Sequence, residues 1–225
     1  MTSSRPRQET RAVLFDLDGT FADTAPDLGA ALNHVLALHG RPPLALEVSR
    51  LQASHGSAGL LKLGFGIEPD HADFSALRDA FLAHYTAHIC DRTTLFAGMA
   101  ELINELERRG LPWGIVTNKP HRFTVPLMEA LDMAARAACL VSGDTCAKAK
   151  PHPMPLLHAA ATLGVAPEHC LYLGDDKRDM EAANAAGMPG IIAEYGYIAP
   201  QTALDSWLAA GSVASPLDLL GFINA

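Results

Sequence analysis

Few cysteines, no long apolar run and no cluster of basic residues set the first limits on this chain. The four cysteines, Cys90, Cys139, Cys146 and Cys170, include no C-x-x-C pair and are too few for a disulfide scaffold, so reduced, mostly structural thiols are expected. No stretch approaches the ~20 apolar residues that span a bilayer, and residues 1–10 lack the apolar centre of a signal peptide. A cytoplasmic protein with no membrane partner is the expectation. The formal net charge of −8, with Lys and Arg nowhere clustered, argues against a nucleic-acid-binding face. Neither an internal repeat nor a low-complexity segment interrupts the chain. Its 225 residues, 49% hydrophobic and 19% charged, suffice for one generous domain or a core with a smaller companion.

What is present concentrates first at Val13-Leu14-Phe15-Asp16-Leu17-Asp18-Gly19-Thr20, where a short apolar run leads into two carboxylates spaced i, i+2. Such a run reads as a buried parallel strand, and ligands gather at the carboxyl ends of these strands. Asp16 and Asp18 are therefore expected at a catalytic edge. One carboxylate can attack a phosphoryl group, while a second protonates the leaving oxygen and later deprotonates water. A plain Asp-Gly turn is the rival account. It is the weaker one, because D-x-D-G-T arises by composition in roughly one chain in several hundred of this length.

Downstream, the chain changes character twice. Residues 24–94 hold no convincing strand: apolar spacing and stop signals predict helices over 26–38 and 74–89, with 48–63 broken by Gly56 and Gly59. From Gly98 onward strands alternate with helices. Helices are expected at 99–109, 121–131, 153–163 and 178–186, strands at 113–117, 138–141, 170–173 and 190–193, and two short helices at 204–210 and 216–223. Alternation of this kind predicts an α/β fold with a parallel sheet covered on both faces and a helical insertion after the first strand.

If the first, second and fourth strands lie side by side, their ends collect three polar clusters: Asp16 with Asp18, Thr117 with Asn118, and Gly174-Asp175-Asp176-Lys177-Arg178-Asp179. Thr117, Asn118 and a nearby lysine could hold phosphoryl oxygens. Asp16 and Asp175 offer hard oxygen ligands that suit Mg²⁺. The bland account of Asp175, Asp176 and Asp179 is a helix N-terminus favouring acids.

In this order, Asp16-Leu17-Asp18-Gly19-Thr20, Val116-Thr117-Asn118, Lys150-Pro151 and the 174–179 segment resemble the four motifs of the haloacid dehalogenase-like superfamily, over about residues 11–197. The resemblance implies a Rossmann-like core formed by 11–23 and 95–225, with 24–94 as a helical cap. It implies Asp16 as nucleophile, Asp18 as general acid/base, and Thr117 and Lys150 as phosphate and charge partners, Lys148 being a surface residue. It further implies Mg²⁺ held by Asp16, the Asp18 carbonyl and Asp175, with Asp179 in support. A second carboxylate at Asp18 favours ester hydrolysis over dehalogenation, since a halide leaves without a proton. The implied activity is a Mg²⁺-dependent phosphatase of small phosphomonoesters. A β-phosphoglucomutase-like mutase and a non-catalytic phosphate-binding regulator are the rivals.

The extended first motif through Asp27, Lys119-Pro120-x-Arg122-Phe123 and Tyr195-Gly196-Tyr197 resemble the phosphoglycolate-phosphatase-like subgroup, in a branch that includes N-acetylmuramic acid 6-phosphate phosphatases. These two substrates are the leading candidates, for a protein that is a monomer or homodimer. Ser54-His55-Gly56-Ser57 is the expected substrate-facing turn of the cap. Arg122 is a candidate for the site rim, Trp113 and Trp207 are read as packing residues, and His84 and His88 as surface or packing histidines, not zinc ligands.

Overall fold

A computed structural model describes residues 9–223. The opening residues 1–8 and the last two, 224–225, to which parts of the leader and core readings apply, lie outside the described residues. Six strands form one parallel sheet: β1 (Ala12–Phe15), β4 (Trp113–Val116), β5 (Cys139–Val141), β6 (Cys170–Gly174), β7 (Gly190–Ala193) and β8 (Gly211–Val213), in the order β5-β4-β1-β6-β7-β8. The first strand is thus central, flanked by β4 and β6 as expected. Pairing of Phe15 with Ile115 on one side and Leu173 on the other brings the three carboxyl ends level.

Alternation along β1 divides the core between the two faces. Val13 and Phe15 pack under helices α5 (Met99–Arg108) and α6 (His121–Ala130), through Leu102, Ile103, Leu106, Leu127 and Met128. Ala12 and Leu14 face α7 (Met154–Leu163) and α8 (Lys177–Ala186), whose Ala159, Ala160, Ala182 and Ala183 permit close approach. Trp113 stacks on Phe21, with ring centroids 5.4 Å apart, and meets Phe15 edge-on. Truncating a buried aromatic of this kind costs ~3–5 kcal/mol. Trp207 is likewise a packing residue, against Met180 and Ile192.

Residues between β1 and α5 form four helices, α1 (Ala25–Leu38), α2 (Leu46–Arg50), α3 (Gly56–Phe65) and α4 (Phe74–Ala87). Leu28, Leu32, Val35, Leu60, Leu61, Leu77 and Phe81 give them an apolar cluster of their own, which Phe123 and Tyr197 of the other layer join. A two-stranded antiparallel ribbon, β2 (Ala22–Asp23) with β3 (Thr94–Leu95), ties the two ends of this insertion together. Two-residue strands carry no periodicity, so none was expected there. The interruption in 48–63 falls at a 3-10 turn, Ala53–His55, ahead of Gly56, and Gly59 lies within α3.

The chain's end departs from expectation. Residues 204–210 and 216–223 form the 3-10 turns Leu204–Trp207 and Pro216–Gly221, and the strand β8 lies between them. Its Gly-Ser-Val sequence has no apolar run; pairing with β7 makes it a strand. Among the described residues no helix is long and apolar enough to cross a membrane.

Candidate active site

Asp16, Thr117 and Asp175 each follow the last residue of a strand, β1, β4 and β6, and all three are buried. Two glycines let the backbone close around Asp175. Gly19 has φ of 86°, and a Cβ there would run into the Asp175 carboxylate; one at Gly196 would meet the Asp175 side chain and the Gly19 carbonyl. Asp175 accepts hydrogen bonds from the Thr20 hydroxyl at 2.8 Å and from the Tyr197 amide at 3.0 Å.

Lys150 ties the site together beneath the strand ends. Its ammonium, 1% exposed, lies 2.9 Å from Asp16 and 2.7 Å from Asp179. It also donates to the Val116 carbonyl and meets the Tyr172 hydroxyl. Burial works against its charge, but Asp16 and Asp179 raise its pKa above the usual lysine value. The same burial pushes Asp16 up to about 6 against the pull of Lys150. Burial, then Asp16 and Asp179, drives Asp175 well above the carboxylate range. Three acids with ligand atoms within 4.8 Å of one another, Asp16, Asp175 and Asp179, are more than one lysine neutralises, and their hard oxygens suit a small divalent cation.

Two expected site residues have their polar atoms engaged in positioning. The Asn118 amide donates to the Lys150 carbonyl at 2.8 Å and accepts from the Lys150 amide at 2.9 Å, so it holds the Lys150 backbone. Asp179 accepts from Lys150 through one oxygen and from the Asp176 amide through the other, which closes a capping box with Asp176 at the start of α8. The helix-terminus account therefore holds for Asp176 and in part for Asp179, but not for Asp175.

Asp18 stands apart from this cluster. Its Oδ1 accepts from the Thr24 hydroxyl at 2.6 Å and pairs with the Lys119 ammonium at 2.9 Å. Burial opposes the Lys119 charge, yet Asp18 and then Tyr85 raise its pKa. The ammonium also lies over the Tyr85 ring, 4.8 Å from its centroid. Sequence reasoning assigned no role to Lys119 or Tyr85. Their signal is weak: Lys119 stands two residues past Thr117, and Tyr85 reads as one more apolar position on a helix stripe.

A cavity of about 470 Å³ opens above Asp16 and Asp18, lined from the core by Thr117, Lys119 and Lys150 and from the insertion by Ser54, His55, Gly56 and Ser57. The Ser54 hydroxyl lies 3.4 Å from an Asp175 oxygen and 3.5 Å from the Asp18 carbonyl, and its own carbonyl accepts from Arg178 at 2.6 Å. Arg122 does not line the cavity; its guanidinium stacks on Phe123. Lys148 is exposed. His84 stacks between His34 and His88, and His88 contacts Asp91.

Paired acids and lysines thus gather at the strand ends of a Rossmann-like core beneath a helical layer, an arrangement suited to a phosphoryl group. The haloacid dehalogenase-like hydrolase family matches residues 13–193, and the chain belongs to it. The N-acetylmuramic acid 6-phosphate phosphatase of Pseudomonas putida is 40% identical over 96% of this chain and 96% of its own length. A phosphoglycolate phosphatase of Xanthomonas campestris pv. campestris is 44% identical, covering 93% of this chain and 94% of its own. Among solved structures, a predicted phosphoglycolate phosphatase of Haemophilus somnus superposes with a TM-score of 0.85 at 23% identity, over 97% of this chain and 100% of that one. The chain is a phosphoric monoester hydrolase.

Proposed function

We propose that this enzyme removes phosphate from a small phosphorylated metabolite through an aspartyl-phosphate intermediate on Asp16, with Mg²⁺ as cofactor. The observation that carries the reading is the separation of the two acids by their partners. Asp16 shares a buried cluster with Lys150 and Asp175, while Asp18 is turned to Lys119 and Thr24 at the cavity floor. In this reading the first bonds phosphorus and the second reaches the leaving oxygen.

In this reading the Asp16 carboxylate attacks phosphorus as the ester oxygen departs with a proton from Asp18. Asp18 then takes a proton from water, which attacks the phosphoryl group and frees Asp16 and inorganic phosphate. Lys150 and the Thr117 hydroxyl balance charge on the phosphoryl oxygens. Mg²⁺ would be held by Asp16, Asp175 and the Asp18 carbonyl, with Asp179 in support through Lys150, and would neutralise phosphoryl charge. Residues 24–94 serve as the cap domain over a core of 11–23 and 95–225, and Ser54, His55, Gly56 and Ser57 face the substrate. A cytoplasmic monomer or homodimer without nucleic-acid or membrane partners completes the reading.

The relatives' names make 2-phosphoglycolate and N-acetylmuramic acid 6-phosphate the first esters to assay. Phosphate release with Mg²⁺ from either, lost in Asp16→Asn, is the expected result. Undiminished turnover by the Asn variant would refute Asp16 as the nucleophile.

A further inference from the structure

Helix α4 presents one face to the cavity, with Phe74, Arg78, Phe81, Leu82 and Tyr85 among its lining residues. Their spacing is that of a single helical stripe. Three of the five are aromatic and one is leucine, so the wall is apolar except at two points.

The first point is the Tyr85 hydroxyl. Tyr85 is 1% exposed; the Lys119 ammonium lies against its hydroxyl oxygen, but no group among the described residues accepts the hydroxyl's proton. A buried hydroxyl whose proton has no acceptor is costly, and a ligand oxygen can offset that cost. Burial pushes its pKa up to about 12, so it stays protonated and able to donate. Its ring is beneath the Lys119 ammonium that holds Asp18, so this point belongs to the end of the cavity where the ester oxygen must sit.

Arg78 is the second point. It is exposed at the cavity's edge and has no hydrogen bond or ion pair among the described residues. It stands seven residues before Tyr85, two helical turns or about 10 Å along the axis. Helical side chains lean toward the N-terminus, so both reach the cavity from the same side of the helix. Phe74, earlier still on α4, and Pro69 in the preceding loop also line the cavity.

We infer that α4 reads the leaving group at two points, with Tyr85 donating to an oxygen near the ester and Arg78 pairing with an anionic group about two helical turns away. The substrate class this fits is the phosphate ester of a sugar-sized acid, whose carboxylate lies across a ring from the phosphate. In 2-phosphoglycolate a single methylene separates the ester oxygen from the carboxylate, which cannot reach Arg78 while phosphorus sits at Asp16. The apolar wall between the two points suits the carbon face of a ring. The cavity of about 470 Å³ leaves room for one. The inference rests on the phosphatase reading above and specifies its substrate.

The test compares N-acetylmuramic acid 6-phosphate, N-acetylglucosamine 6-phosphate and 2-phosphoglycolate, measuring kcat and KM from phosphate release. The first two share a sugar phosphate and differ by the O-lactyl group that carries the carboxylate, so the change that Arg78→Gln makes in the ratio of their kcat/KM values reports on the distal anion. A wild-type ratio of about tenfold or more is expected, with Arg78→Gln reducing it by about tenfold through KM, as loss of one charge-assisted contact requires. Arg78→Lys should restore part of the ratio. Tyr85→Phe should lower kcat/KM on both sugar phosphates by roughly 2–10-fold and leave the ratio alone. A ratio unmoved by Arg78→Gln, or a wild type that prefers 2-phosphoglycolate, overturns the inference and leaves the phosphatase reading standing. Failure to release phosphate from any of these esters or from p-nitrophenyl phosphate overturns both.

Discussion

Replacing Lys119 with methionine removes a positive charge while keeping the length and much of the volume of the side chain, so it isolates the pairing with Asp18. The two side chains are 6% and 14% exposed and 2.9 Å apart. Removing one member of a buried pair costs about 3–5 kcal/mol; Asp18 keeps its 2.6 Å bond from Thr24 and some solvent contact, so a loss at the low end is expected, measured by urea unfolding. The catalytic consequence is more specific. A positioned general acid contributes roughly 10²–10⁴-fold, and Lys119→Met should lose about 10–100-fold of kcat/KM on an alkyl phosphate by releasing Asp18 from its place. On p-nitrophenyl phosphate, whose leaving group departs without a proton, kcat/KM should fall far less. This parameter covers only the steps up to ester cleavage, so the later use of Asp18 as a base does not blur the comparison. In an Asp18→Asn background the Lys119 effect should nearly vanish, as expected for two residues acting through one contact. Equal losses on both esters, or full additivity with Asp18→Asn, would show that Lys119 acts on the phosphoryl group directly.

Three further outcomes follow from the same geometry. Asp16 is raised from 3.8 to about 6, so its contribution to metal-free stability is present below pH 4 and lost as pH rises through 6; Mg²⁺, competing with that proton, should raise Tm more at pH 7.5 than at pH 5, and an equal shift at both would contradict the assignment. Gly19→Ala places a Cβ against Asp175 at positive φ, and the left-handed conformation at roughly 1–2 kcal/mol plus overpacking at 1–3 kcal/mol should give a clear drop in the denaturation midpoint, an unchanged midpoint being the refuting result. Cys139 and Cys170 are buried, with thiols pushed up to about 11 by burial, so thiol-reactive dye should label Cys90 and Cys146 in the native protein and reach the other two only on unfolding.

The legible parts of this fold are those in which a local pattern and its tertiary partner agree. β1, β4, β6 and β7 are apolar runs because each is buried on both faces, and Gly164 and Gly187 end α7 and α8 in the left-handed conformation that a stop signal implies. Where the partner alone decides, the sequence is silent. β8 is a strand because β7 offers it an edge, and the β2–β3 ribbon exists because the two ends of a long insertion must return to the same place.

The site divides along the same line. Asp16, Thr117 and Asp175 could be placed at one edge from strand ends alone, since parallel register makes those ends coincide. Lys150 required a resemblance, because neither Lys148 nor Lys150 lies at a strand end; its engagement with Asp16 and Asp179 is a long-range fact. Lys119 and Tyr85 were harder still. Their meeting joins the first turn after β4 to a helix of the insertion, so no spacing within either segment records it. This is the level at which substrate choice is expected to lie. In the proposed reading the phosphoryl group is held by residues from the strand ends, whereas the leaving group meets α4 and the 54–57 turn. The four motifs therefore point to the reaction, and substitutions on the α4 face, not at the strand ends, are expected to shift the substrate.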